Sequence, residues 1–352
     1  MGAKTVAVDI GTSVVRVAEV EMSSGADPRD SSTLHAFAER AMPPGIIRNG
    51  SIEEPAALAA VVREVMGAAK VSSKNVVVGI EHPGVVIREV DIPAQPMDKV
   101  RESLAFHVQD LLPTAPDESI LDFYPTAEFE APAGPTLRGL LVAAPRASID
   151  DLVSVVEKAG AHIAGVDHSA FALWRNGCRA SLLEHNIAMV DVGASTTTIV
   201  VSQAGVPRLV RTLAQASADA TRAIAEATKG LNLDAEALKR EIGMNTNVSP
   251  DRRAIADAVS MAMHPLIEAV RNTLVYFASS NPGGGVERIV LTGGGSFLPG
   301  FGQAFASATR LPVKIGEPFY GCTIGKRVDL RAVQGREAEL ATVVGLAMRS
   351  KK

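Results

Sequence analysis

Val6-Ala7-Val8-Asp9-Ile10-Gly11-Thr12-Ser13 and Ala188-Met189-Val190-Asp191-Val192-Gly193-Ala194-Ser195 decide the reading of this chain. Each is an apolar run ending in Asp, then an aliphatic residue, Gly, a small residue and Ser. A second β-branched run follows each, Val14 to Val20 and Thr196 to Val201. The pattern predicts a β-hairpin whose tight turn carries an acid and hydroxyls. Used twice, it implies two related lobes that face each other and hold something anionic between their turns.

A strand end delivers backbone N–H groups into such a turn, Gly removes the Cβ so that a phosphate can approach, and the hydroxyls add donors. The acid repels phosphate at neutral pH, and its role is to hold hydrated Mg²⁺, which keeps most of its waters. Asp9 and Asp191 are therefore assigned to magnesium through water, and Gly11, Thr12, Ser13, Gly193, Ser195 and Thr196 to phosphate. A third motif, Ile289-Val290-Leu291-Thr292-Gly293-Gly294-Gly295-Ser296, is a buried strand running into three glycines. Flat backbone there packs against an adenine or ribose face, which assigns Gly293, Gly294 and Gly295 to the nucleoside. Neither a Walker A lysine motif nor a GxGxxG after the first strand is present, which disfavours P-loop and Rossmann readings.

A chain of 352 residues is expected to form roughly two domains. With 47% apolar and 21% charged residues it has the composition of a globular protein, and its net charge of −4 offers no basic field for nucleic acid. Apolar stretches stay well below the ~20 residues of a spanning helix. The first strand starts directly after Lys4, with no room for a signal peptide, so a cytoplasmic location is expected. Cys178 and Cys322 lack the spacing of a disulfide framework or zinc site.

Strand and helix patterns alternate throughout, which predicts an α/β protein with mixed sheets. A helix is expected over 53–70, a strand over 75–80, then a distinct unit beginning near Val85: strand 86–92, helix 98–112, strands 120–129 and 137–143, helix 148–159, strand 163–166. The helix places Val100, Leu104, Val108 and Leu111 on one face. A helix over 168–176 leads to the second hairpin. Helices over 217–229, 235–242 and 250–277 follow, the last bent or divided at Pro265. Strand 288–291, helix 301–308, strand 313–315 and helix 336–348 end the pattern.

The two hairpins resemble the phosphate 1 and phosphate 2 motifs of the actin, Hsp70 and sugar-kinase superfamily, and Leu291 to Ser296 resembles its adenosine motif. Within it, the chain is similar to the PilM family of type IV pilus assembly proteins, relatives of the division protein FtsA. Pro43-Pro44-Gly45-Ile46-Ile47 with Gly50-Ser51-Ile52 carries this likeness, as does Ile87-Arg88-Glu89-Val90-Asp91-Ile92-Pro93 before a helix ending in Leu112-Pro113. The resemblance implies an α/β, actin-like (ribonuclease H-like) two-lobed fold with an FtsA/PilM-type inserted subdomain. It places the first lobe in 1–85, 166–186 and 336–352, the insert in 86–165 and the second lobe in 187–335.

Ala235-Glu236-Ala237-Leu238-Lys239 is similar to the family's helix whose Glu and Lys reach ribose and adenine, which brings in Glu236 and Lys239. The family usually has Lys at Arg16; both meet phosphate, with different donor geometry. Where relatives orient an attacking water, this chain offers Asp167 and His168, although His168 equally suits a cap or packing role. The resemblance implies ATP and Mg²⁺ as cofactors and the short cytoplasmic tail of a PilN-like membrane protein as partner. Further implied partners are other proteins of the pilus inner-membrane platform, with self-assembly, at the inner face of the cytoplasmic membrane. An FtsA-like division filament protein and a small-molecule kinase are the alternative readings.

Overall fold

A computed structural model describes residues 3–23, 31–112, 114–229, 231, 233–281 and 283–349, so that Pro113, quoted above, lies outside the described residues. The hairpin β1 (Ala3–Ile10) and β2 (Val14–Met22) continues into β3 (Ser32–Ala41), and a two-residue pair, β4 (Ile47–Arg48) and β5 (Ser51–Ile52), precedes α1 (Pro55–Ala69) and β6 (Asn75–Ile80). The middle of the chain holds β7 (Val86–Pro93), α2 (Met97–Val108), β8 (Ser119–Ala131), β9 (Gly134–Pro145), α3 (Arg146–Lys158), β10 (His162–His168) and α4 (Ser169–Gly177). Then come β11 (Ile187–Val192), β12 (Thr197–Gln203), β13 (Val206–Leu213), α5 (Ser217–Ala227), α6 (Ala235–Ile242) and α7 (Arg253–Ser280). Last are β14 (Arg288–Thr292), α8 (Phe301–Thr309), β15 (Val313–Ile315), β16 (Cys322–Ile324) and α9 (Ala341–Ala347).

Two mixed sheets organise these elements. One has the order β10-β6-β1-β2-β3-β16, the other β13-β12-β11-β14-β15. Strand periodicity makes both sheets two-sided. Val6 and Val8 face α1 and α3, packing with Leu58, Val62, Val155 and Val156, while Ala7 and Ala18 face α9 with Val344 and Leu346. In the second sheet Val190 and Ile199 pack on α5, α7 and α8, while Met189, Val200 and Val290 pack on Leu173 of α4 and Ala341 of α9. The pair α4 and α9 thus lies between the sheets and shares apolar contacts with both.

A third sheet, β7-β9-β8, carries α2 on one face, with Val90, Ile92, Phe123 and Leu141 packed on Val100, Leu104 and Val108. The α3 helix and β10, which the sequence pattern assigned to this unit through residue 165, belong instead to the six-stranded sheet: β10 pairs in parallel with β6, and α3 buries Ile149 and Val155 in that sheet's core. Likewise β16, drawn in the second lobe, pairs with β3.

Further differences have local causes. The α-helix of the small unit ends at Val108 and passes into a 3₁₀ turn over Gln109–Leu111, so Leu111 leaves the apolar face and is exposed. Pro265 does not divide α7. Its ring lies on the exposed side, and Met263, Leu266, Ile267 and Val270 bury the helix on both sides of the missing N–H. Strands β3, β13 and β16 were not anticipated, although β3 alternates buried and half-buried positions. Among the described residues no helix is long and apolar enough to cross a membrane.

The α4–α9 crossing is unusually close. A Cβ on Gly345 would stand 1.9 Å from the carbonyl oxygen of Ala172 and 2.5 Å from its carbon. Gly-to-Ala inside a helix ordinarily gains up to about 1 kcal/mol, whereas overpacking costs about 1–3 kcal/mol. Here the obstacle is backbone that has no rotamer to yield, so the clash wins. Gly345→Ala is expected to lower the melting temperature by several degrees in a calorimetric scan; an unchanged or higher value would show that the helices part without cost.

Candidate functional site

Both hairpin turns close through the same bond. Gly11 N–H donates to the Val14 carbonyl (3.0 Å) and Gly193 N–H to the Thr196 carbonyl (2.9 Å). A Cβ would stand 3.1 Å from Val14 O at Gly11 and 2.9 Å from Thr196 O at Gly193, so both turns need glycine to be this tight. The ladder sets the acids one residue inside each strand end, Asp9 opposite Arg16 and Asp191 opposite Thr198. The turns meet across the interlobe space, with Thr12 Oγ1 and Ser195 Oγ 2.8 Å apart. Around them opens a cleft of about 1650 Å³, lined by every residue assigned above to nucleotide or magnesium.

Within it the assigned residues divide by what they do. Gly293 has φ +78° and a Cβ there would meet Val192 O at 2.5 Å; at Gly295 it would meet Val192 Cγ1 at 2.4 Å. These two glycines let the turn press onto β11. A Cβ at Gly294 would meet nothing within 4 Å, so Gly294, the exposed one of the three, has open space beside its backbone. On α6, Lys239 is buried and pairs with Glu236 (2.7 Å), which also accepts from Thr221 (2.9 Å) and Arg240 (3.1 Å). Burial alone raises the Glu236 carboxyl, but the bonds and charge of Lys239, with Thr221 and Arg240, hold it below its ordinary value. Arg16 is already engaged by Glu39 (3.0 Å) and Glu339 (3.1 Å), which also bind Arg336, so its charge is largely spent within the cleft wall.

Carboxylates dominate the floor. Burial pushes Asp9 up to about 6, with Arg16 lowering it and Glu81 raising it further. Burial pushes Asp191 up to about 7; a hydrogen bond from Thr292 (2.7 Å) opposes this, while the charges of Glu81 and Asp9 add to it. Such a floor favours an added cation. Among the described residues no three His, Cys, Asp or Glu side chains are grouped closely enough to chelate a metal. The donor set therefore fits an ion that brings its own waters.

Asp167 and His168 do not join this site. Neither lines the cleft. Asp167 is paired with Arg175, which also donates to the Gly345 carbonyl. His168 is the N-cap of α4: Nδ1 accepts from Ala170 N–H (3.1 Å), the ring packs edge-on against Phe171, and burial lowers it to about 4, so it is neutral at pH 7. The edge strand β10 ends behind the cleft wall, not in it.

Glu81, which sequence reasoning missed, does line the cleft and accepts from Thr198 Oγ1 (2.6 Å) across the lobes. Its local signal is only a charged residue directly after β6; the parallel pairing of β6 with β1 is what lands it beside the end of β1.

The profile of the family described as type IV pilus assembly protein PilM matches residues 7–351. No curated protein matches the chain. The PilM–PilN type IV pilus biogenesis complex is similar in structure, with 26% identity, 99% of each chain covered and a TM-score of 0.82. Ethanolamine utilization protein EutJ from Carboxydothermus hydrogenoformans (14% identity, 99% and 91% covered, TM-score 0.59) and AMPPNP-bound MreB 5 of Spiroplasma citri (12%, 98% and 95%, 0.57) share the fold, which is actin-like as the sequence implied.

The Asp191 carboxyl yields a pH prediction. Its folded value lies above the ordinary 3.8, so the stability tied to its proton is full below that pH and is lost as pH rises to about 7. Asp191→Asn escapes this loss. The melting temperature of the variant is expected to pull ahead of the native protein between pH 4 and 7 and hold a lead of several degrees above it; parallel curves would contradict the assignment.

Proposed function

The chain belongs to the PilM family of type IV pilus assembly proteins, and we propose that it is an ATP-binding member that binds the cytoplasmic tail of a PilN-like membrane protein. The observation that carries the nucleotide reading is the pair of glycine turns 2.8 Å apart at Thr12 and Ser195, each with an aspartate at the same position of its hairpin. A triphosphate that parts the Thr12–Ser195 contact takes hydrogen bonds from Thr12 and Ser13 on one side and from Ser195 and Thr196 on the other, while Gly11 and Gly193, whose N–H groups close the turns, leave room for its oxygens. Asp9 and Asp191 hold its magnesium through water, Gly294 faces the nucleoside, and Glu236 with Lys239 reaches ribose and adenine. Bound magnesium would neutralise phosphate charge and tie both acids to one ligand.

The tail partner is supported by likeness to a PilM chain solved as a PilM–PilN complex, at 26% identity over 99% of both chains. From this follows a place at the inner face of the cytoplasmic membrane, held there by partners of the pilus platform. The first lobe comprises the six-stranded sheet, the second the five-stranded sheet, and the β7-α2-β8-β9 unit is the insert. ATP that contacts both turns favours one lobe arrangement over others, which changes the tail site by population shift. The division-filament and kinase readings have less support, because the family profile covers nearly the whole chain.

Calorimetric titration with Mg-ATP, beside Asp191→Ala and with phosphate release followed in the same samples, tests this. Binding by the native protein, weakened about ten- to a hundredfold in the variant, is the expected result, with slow phosphate release. Absence of binding by the native protein overturns the nucleotide reading. A synthetic PilN-tail peptide titrated alongside tests the partner, and no heat of binding would overturn that half.

A further inference from the structure

The β7-β9-β8 unit continues from the first lobe through a short loop after β6, yet the sheet face opposite α2 lies on the second lobe. The edge strand β13 packs against β7 and β8 without joining their ladder. Arg208 of β13 donates through Nη1 to Thr126 Oγ1 (3.4 Å), which itself donates to the Arg138 carbonyl (3.2 Å), and Arg208 Nη1 stands 3.9 Å from Glu89 Oε2. Glu89 is shared with Arg138 (3.7 Å), which is held by both oxygens of Asp91 (2.7 and 2.8 Å) and lies over the Phe129 ring. Beside this polar contact, Tyr124 packs on Phe171 and Trp174 of α4, with ring centroids 5.9 and 5.7 Å apart.

Arg208 is poorly served by this arrangement. Its Nε is buried and has no hydrogen-bond partner, and its two polar contacts on the insert are long. A buried donor left unpaired is costly, and a small shift of β13 along β7 would either give Arg208 closer partners or remove the ones it has. The contact is thus sensitive to how the lobes stand, and it consists of side chains alone.

We propose that the insert is a strut that reads the separation of the lobes, with Arg208 carrying nucleotide-driven movement of the second lobe into β7 and β8. The proposal deepens the function above and rests on its nucleotide reading. It names a conduit by which a ligand at the turns alters a surface on the insert, through contacts that differ between two lobe arrangements.

Amide hydrogen exchange of the full chain with and without Mg-ATP tests it. In the native protein Mg-ATP is expected to slow exchange around both turns and also in β7 and β8, by about fivefold or more. Arg208→Ala is expected to keep the protection at the turns and lose it in the insert; Glu89→Gln, a milder change on the other side of the contact, should do the same in smaller measure. Protection at the turns but not in the native insert overturns the strut and leaves nucleotide binding standing. Insert protection that survives in both variants overturns the role of Arg208. No protection at the turns overturns the nucleotide reading and the strut with it.

Discussion

The crossing of α4 and α9 fixes everything above it. Because Gly345 lets the helices approach until Ala172 backbone fills the place of a side chain, the two sheets that sandwich them are held at one spacing. At that spacing Thr12 and Ser195, on hairpins from opposite lobes, come within hydrogen-bond distance. Two guanidiniums, Arg179 buried and Arg175 half-buried, reinforce the crossing by serving backbone oxygens. Arg175 holds the Gly345 carbonyl, and Arg179 holds the carbonyls of Glu317, Pro318 and Tyr320, in the segment that carries the chain from β15 of one sheet to β16 of the other. Charged donors on carbonyls are among the stronger hydrogen bonds, and they fasten connections that no ladder reaches.

Above this crossing the charges are arranged unequally. The charge of Glu81 opposes ionisation of both Asp9 and Asp191, that of Asp9 adds to it at Asp191, and Arg16, the cation whose charge eases both, is bound by Glu39 and Glu339. The floor therefore repels bare phosphate and accepts it only with a cation, while the neutral N–H and hydroxyl groups of the turns lie around it. That division between acids on strand ends and donors on the turns is a consequence of the hairpin itself. The residue before the last strand position points into the cleft from the ladder, and the turn residues follow it.

The parts of this that the sequence displayed are those with a local signature. The continuous apolar runs of β1 and β11, the glycine in each turn and the glycine run after β14 are all set within a few residues, and each lies where the pattern put it. What it concealed depends on partners distant in sequence. His168 and Asp167 follow an apolar strand much as Asp9 and Asp191 do, but β10 is an edge strand and its end is covered by α4, which uses His168 as a cap and Arg175 against Asp167. Glu81 was overlooked because its strand has no hairpin partner and no turn motif. It is the parallel pairing with β1, known only from the fold, that brings it to the cleft. The limits of the insert were misjudged for the same reason, since nothing local distinguishes β10, which pairs with β6, from strands that pair with one another.

The side-chain nature of the seam between β7 and β13 constrains how such a molecule can move. Had β7 extended the second lobe's sheet, any lobe rotation would have to break a row of backbone hydrogen bonds together. Instead β13 ends its ladder at β12, and the insert meets that open edge with Thr126 and Glu89 against Arg208 of β13 on one flank, while its Tyr124 packs on the Phe171 and Trp174 rings of α4 on the other. Covering protects an edge strand from pairing with other chains. Polar side chains at 3.4 to 3.9 Å exchange partners with small displacements, whereas the Tyr124 ring is packed on two rings of α4. In the proposed strut the aromatic flank stays with α4, and the Arg208 flank is where a change in lobe separation reaches the insert.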